Sequence, residues 1–261
     1  MKLSAKEKAS YGLGAVGKDM VYMLSASYIL YYYQDLLGVS SWVMGVILMA
    51  ARIFDAFNDP IMGVVVAKTQ TKWGKFRPWL LIGTVLNAIV LFFMFAVPKS
   101  VTGGGLVAYA AILYITWGIT YTMMDIPFWS MIPAFTEGGK ERENLSTLAR
   151  SCAGVGSAII TVITMICVPK LGGIGNADKA ALVAAGNAEG AADSVKLAGI
   201  EAGRIIERSG FKWFALIIAI LFVVFITVTC ICIKEKSTVN MQSPTVGPVS
   251  YTHLRAHETG R

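Results

Sequence analysis

Histidine is almost missing from this sequence: the only two, His253 and His257, stand in the C-terminal tail. The rest of the chain has no imidazole for a metal, a proton relay or a nucleophilic triad, which weakens most enzyme readings. Cysteine is scarce as well. Cys152, Cys167, Cys230 and Cys232 all fall in apolar stretches, against a disulfide framework, and the 230/232 spacing suits neither a redox pair nor zinc. Charge is short too, at 15% of residues against 55% hydrophobic ones, with a mean hydropathy of +0.61. An ordinary soluble domain carries about 25% charge. The formal charge of +7 does not point to nucleic acid, because the basic residues gather in short connections between apolar runs.

What the chain does have is long hydrophobic runs. Six are read as bilayer-crossing helices, over residues 11–37, 42–67, 78–97, 106–132, 150–171 and 211–233; about 20 apolar residues suffice for one. The first is too long for a cleavable signal peptide and carries Lys18 and Asp19, and Tyr31, Tyr32 and Tyr33 at its far end are expected as an interfacial aromatic belt. Lys2, Lys6 and Lys8 precede it; Lys68, Lys72, Lys75 and Arg77 follow the second run, Lys140 and Arg142 the fourth, and Lys234 and Lys236 the sixth. The first and third connections offer only Lys99. Positive-inside bias then places the N-terminus in the cytoplasm. The expected fold class is all-α, a polytopic membrane protein whose solvent is the lipid bilayer. Residues 1–236 form the membrane part. Residues 172–210, rich in Gly and Ala and without an aromatic residue, are expected as an external loop, with at most a surface helix near 195–208. The tail 237–261 is expected to be disordered, and at least 251–261 resembles read-through into a sequencing adapter rather than native protein.

Charge inside the runs carries the chemistry. Each buried charge costs roughly 2.5–3.5 kcal/mol at membrane depth, so such residues are few and usually functional. In Arg52-Ile53-Phe54-Asp55-Ala56-Phe57-Asn58-Asp59-Pro60, the groups Arg52, Asp55 and Asp59 lie on one helical face. Two carboxylates one turn apart in low dielectric need a shared proton or a cation, and Pro60 loosens the backbone beside them. A purely structural Arg–Asp lock between helices is the plainer alternative. In the fourth run, Tyr121, Asp125 and Trp129 form a second stripe, a carboxylate between two aromatic rings. That combination suits a sugar: the acid accepts hydroxyl hydrogen bonds and the indole packs on the C–H face. Core packing is the plainer alternative for the aromatics. Lys18 and Asp19 in the first run and Arg150 opening the fifth complete the set, unless Lys18 and Arg150 snorkel to the interface. Lys18, Arg52 and Arg150 against Asp19, Asp55, Asp59 and Asp125 leaves one excess negative charge, which a bound monovalent cation would neutralise. The donors are oxygens (Asp55, Asn58, Asp59, Thr122), which favours Na⁺, Li⁺ or H⁺ over a transition metal.

These stretches resemble a known family. Gly17-Lys18-Asp19, the motif from Arg52 to Pro60, Trp73-Gly74-Lys75-Phe76-Arg77-Pro78-Trp79, and the run between Trp117 and Trp129 are similar to the glycoside–pentoside–hexuronide cation symporters, nearest to the melibiose carriers among them. The resemblance implies the major-facilitator fold, two six-helix bundles built from inverted three-helix repeats, of which this chain holds the N-terminal one. It implies sugar contacts at Lys18, Asp19, Tyr121, Asp125, Trp129 and Arg150. It implies a cation at Asp55, Asn58, Asp59 and Thr122, with Lys18 linking the two sites, and gating roles for Arg52, Lys140, Arg142 and Glu143. No cofactor beyond the coupling ion is implied; the partners are a glycoside, a monovalent cation and the missing C-terminal bundle, in a bacterial inner membrane. Two departures stand out: Tyr22 and Ala26 replace an aliphatic residue and a tyrosine of the melibiose carriers, and 172–210 is an insertion. Two rival classes remain: a sensor or accessory half-transporter that binds sugar without moving it, and a membrane-embedded enzyme using paired aspartates. Asp55 and Asp59 share a helix rather than facing across a cleft, which counts against the enzyme.

Overall fold

The computed structural model describes residues 3–136 and 139–233, and every regular element among them is helical. Helix α1 (Ala5–Tyr31) starts on a capping box: Ser4 Oγ accepts from the Glu7 amide, and the Ser4 amide donates to the Glu7 carboxylate at 2.8 Å. It runs on into one π-helical turn, Tyr32–Leu36. Helices α2 (Ser41–Lys68), α3 (Arg77–Phe95), α4 (Gly104–Phe135) and α5 (Lys140–Gly173) follow, then a short α6 (Ala177–Gly186) and a long α7 (Asp193–Cys232). The basic connection after α2 turns at Gly74, whose φ of 106° is one that side chains rarely tolerate. Pro78 sits in the first turn of α3, where its missing N–H costs nothing.

All six expected runs are helical, with two corrections. The stretch 172–210 is not a loop. It contains α6 and the opening turns of α7, so the surface helix expected near 195–208 is continuous with the last span. Average composition hid this; spacing explains it. Gly199, Ala202 and Ile206 recur every three to four residues as a buried stripe, and Gly186 and Gly199 let α6 lie directly on α7. The second correction concerns Tyr31, Tyr32 and Tyr33, expected as an interfacial aromatic belt. Tyr32 and Tyr33 are fully buried, and their hydroxyls donate to the carbonyls of Phe95 (2.8 Å) and Met94 (3.1 Å). Those are among the last carbonyls of α3, which have no partner within their own helix. Tyr31 instead reaches the Glu207 carboxylate of α7.

Helix α1 packs against α5 and α7, α3 lies on α4 and α7, and α2 lies on α4. The closest crossing is α5 on α7, where a Cβ at Gly172 or Gly210 would overlap the carbonyl of Ile206 or Val168. By length and composition, five described helices (α2, α3, α4, α5 and α7) can cross a membrane. α1, with Lys6, Glu7, Lys8, Lys18 and Asp19 in its 27 residues, falls outside that group although its inner face is buried in the bundle. α2 is the barest span: 17% of its apolar window is buried, against 44% for α3 and α7. It therefore forms the edge of the bundle. The tail 237–261 lies outside the described residues.

Candidate functional site

Helix α4 carries two groups of polar side chains on different faces, one turned to α1 and one to α2. On the α1 side the centre is Lys18, whose side chain is only 5% exposed. Its amine sits 2.7 Å from Asp125 Oδ1 and 3.1 Å from Asp19 Oδ1, and donates to the Tyr121 hydroxyl at 3.0 Å. A buried ammonium needs such company, since its desolvation is repaid only by close opposite charge and hydrogen bonds. Trp129 Nε1 donates to Asp125 Oδ1 at 3.1 Å, and the Arg150 guanidinium lies over the Trp129 ring at 4.2 Å. From α5, Ser157 Oγ donates to Asp19 Oδ2 at 3.1 Å. One buried ammonium thus serves two carboxylates, with the Arg150 guanidinium over the indole beside them. Both carboxylates keep an open side, 22% exposed for Asp19 and 30% for Asp125. All six residues expected to touch sugar are gathered here.

The aromatic stripe of α4 is longer than expected. Tyr114, Trp117 and Tyr121 stack in succession at 5.8 and 5.2 Å. Tyr22 of α1 adds a ring 5.4 Å from Tyr121. The residue that departs from the melibiose carriers therefore lies against the site, while Ala26, one turn on, is exposed.

On the α2 side, contacts follow one register. Arg52 Nη2 reaches the Tyr114 hydroxyl at 3.5 Å, Asp55 lies against Gly118, and Thr122 Oγ1 donates to Asp59 Oδ1 at 2.9 Å. Each step is about one turn on both helices, so the two run parallel here. Arg52 Nη1 pairs loosely with Asp55 Oδ2 at 3.4 Å. A Cβ on Gly118 would sit 2.8 Å from Asp55 Oδ1, so only glycine leaves that oxygen its place. Asn58 Nδ2 is buried without a hydrogen-bond partner. Rotating that amide exchanges the orphaned donor for an acceptor oxygen beside the two carboxylates. The four residues expected to hold a cation thus share the α2–α4 seam.

Other expectations fare differently. Among the described contacts, Lys18 makes none with Asp55 or Asp59; the two groups are joined by α4 itself, through the consecutive residues Tyr121 and Thr122. At the start of α5, Lys140 and Glu143 are exposed, and Arg142 Nε donates to Thr136 Oγ1 at 3.3 Å. Glu141 accepts from the Leu3 amide at 2.6 Å, tying the chain's start to α5. Sequence reasoning missed Glu141, Ser157 and Gly118. Ser157 was within reach of it, two turns after Arg150 on the same face of α5.

Five long apolar helices with ion pairs among them describe a multi-pass membrane protein, and the family match below makes it one of the major-facilitator type. Comparison with known proteins agrees. A family profile described as MFS/sugar transport protein matches residues 10–254. The chain belongs to this family, whose members are transporters rather than enzymes. It is 36% identical over 167 residues to the uncharacterized symporter YjmB of Bacillus subtilis (strain 168), covering 63% of this chain and 36% of that protein. It is 33% identical over 167 residues to the isoprimeverose transporter of Lactiplantibacillus pentosus, covering 64% and 35%. To the putative glycoside/cation symporter YagG of Escherichia coli (strain K12) it is 33% identical over 171 residues, covering 66% and 37%. The chain therefore spans little more than a third of these curated relatives.

Proposed function

We propose that this chain is the N-terminal half of a symporter that moves a glycoside together with Na⁺, Li⁺ or H⁺ by alternating access. One observation carries the reading: two acidic groups flank α4 on different faces, Asp19 and Asp125 closed by Lys18 beside aromatic rings, and Asp55 and Asp59 of α2 with only the loosely paired cation Arg52 near them among the described residues. Sugar hydroxyls take the open lone pairs of Asp19 and Asp125, Trp129 packs on the ring, and Arg150 holds the indole in place. A cation between Asp55 and Asp59 relieves their repulsion and fixes α2 on α4. That sets Tyr121 and Asp125, on the same helix, for the sugar. Each ligand then raises the other's affinity by the same factor. Arg52, Lys140, Arg142 and Glu143 act as gates, Arg52 by releasing Asp55 to the cation.

A second six-helix bundle covers the bare face of α2 and supplies the other wall of the sugar site. The relatives' length and the exposed Phe57 (69%) and Ile61 (62%) support this. The basic connections put the N-terminus in the cytoplasm of a bacterial inner membrane. The test is uptake into vesicles by the full-length protein containing this sequence, with melibiose and isoprimeverose as labelled sugars. Accumulation stimulated by Na⁺, Li⁺ or a proton gradient supports the symporter. Sugar binding without accumulation makes the protein a sensor, and turnover of the sugar makes it an enzyme.

A further inference from the structure

The seam between α3 and α7 has two parts that meet end to end. At the end of the bundle nearest α6 lies a cavity of about 330 Å³. Its cations are Lys99, Lys179, Arg208 and Lys212, and among the described residues no carboxylate lines it. Arg208 is held in position by donating to the Val97 carbonyl at 2.7 Å. Glu207, its neighbour on α7, accepts from the Tyr31 hydroxyl and does not line the cavity. Four cations around a pocket with no carboxylate in its lining suit a phosphate.

One turn deeper the seam becomes a groove of about 390 Å³ that is apolar throughout, lined on α3 by Ile89, Phe92 and Phe93 and on α7 by Leu216, Ile220 and Val223. The α7 residues Arg208, Lys212, Leu216, Ile220 and Val223 follow one helical stripe, so cavity and groove are continuous. From Lys212 to Val223 the helix rises ~16 Å, about half the ~30 Å hydrocarbon thickness of a bilayer. Trp213 beside Lys212 is 47% exposed, as an anchor at the membrane–water boundary would be.

We propose that this seam binds an anionic phospholipid, its phosphate in the basic cavity and one acyl chain in the α3–α7 groove. The geometry separates this occupant from a zwitterionic lipid, whose headgroup brings its own cation, and from free phosphate, which makes no use of the groove. Each basic side chain at the surface contributes about fivefold to the preference for an anionic lipid.

The test uses the full-length protein containing this sequence, purified in mixed micelles of equimolar phosphatidylglycerol and phosphatidylcholine, with retained lipid counted by native mass spectrometry. The expected result is at least a tenfold excess of bound phosphatidylglycerol. The triple variant Lys99→Gln, Lys179→Gln, Lys212→Gln should bring the two lipids near parity with helix content unchanged by circular dichroism. Ile89→Trp, on the exposed rim of the groove, should lower retention of phosphatidylglycerol severalfold with the cations intact. If the triple variant does not fold, Ile89→Trp and competition by inorganic phosphate on the unaltered chain decide. Equal retention of both lipids by the unaltered chain overturns the proposal. So does full displacement by 10 mM inorganic phosphate together with no effect of Ile89→Trp, which would leave a free-anion site.

Discussion

The α1 and α2 faces of α4 hold similar side chains in opposite electrostatic conditions. Facing α1, Lys18 is buried and makes contacts of 2.7 to 3.1 Å with Asp125, Tyr121 and Asp19, so both carboxylates have a close partner within the bundle. Facing α2, the shortest Arg52–Asp55 contact is 3.4 Å, Arg52 is 55% exposed, and the Asn58 amide has no partner. The first group is complete before any ligand arrives. The second keeps a weakly paired carboxylate and an unpaired amide, which on the proposed function an ion and protein packed over α2 would complete. A pre-paired group gives a ligand geometry to match, whereas an unpaired one makes ligand occupancy the thing that orders it.

That contrast can be broken from either side. The largest effect is expected from Lys18→Met, which leaves Asp19 and Asp125 facing each other without their cation. Losing one partner of a buried pair costs ~3–5 kcal/mol, so sugar binding should vanish and the melting temperature fall. A variant that binds sugar normally by calorimetry would show that the cluster is not a site. Next is Asp55→Cys in the full-length protein, expected to abolish cation stimulation of uptake while some sugar binding persists. The lost coupling should amount to about 5- to 150-fold in sugar affinity. Stimulation persisting at its original strength would remove the α2–α4 seam from the mechanism.

A finer probe is Gly118→Ala, whose Cβ would crowd Asp55 Oδ1 at 2.8 Å. It should weaken the apparent affinity for the coupling cation about tenfold on the scale of ~1.4 kcal/mol, with cation-free sugar affinity unchanged. Equal loss in both measurements would mean general disruption of α4 instead. The smallest effect is expected from Ser157→Ala, which removes one hydrogen bond from Asp19. About 1 kcal/mol for such a bond predicts a sugar dissociation constant roughly fivefold higher. No change would place Ser157 outside the sugar group.

Much of both groups was legible in the order of residues alone. Helical spacing put Arg52, Asp55 and Asp59 on one face, and Tyr121, Asp125 and Trp129 on another, because neighbours on one helix are fixed by its period. The expense of charge in hydrocarbon then required Lys18, Asp19 and Arg150 to find partners. Less legible were contacts depending on how two helices meet. Gly118 matters only because Asp55 comes to rest on it. Tyr32 and Tyr33 read as a surface belt, since nothing local shows that the end of α3 lies beside them with carbonyls to satisfy. The segment 172–210 read as loop from its composition, yet its small residues are what allow α6 to lie on α7.

By itself, the sequence determined that this is a helical membrane protein and which side chains are too polar to face lipid, because both follow from hydropathy and the pitch of a single helix. The tertiary structure decided that Lys18 serves the aromatic group rather than bridging to Asp55 and Asp59, and that α4 joins the two. The physical reason is reach: an ammonium contacts whatever lies within about 3–4 Å of it, and that is set by the crossing of α1 over α4, which no spacing along either helix contains.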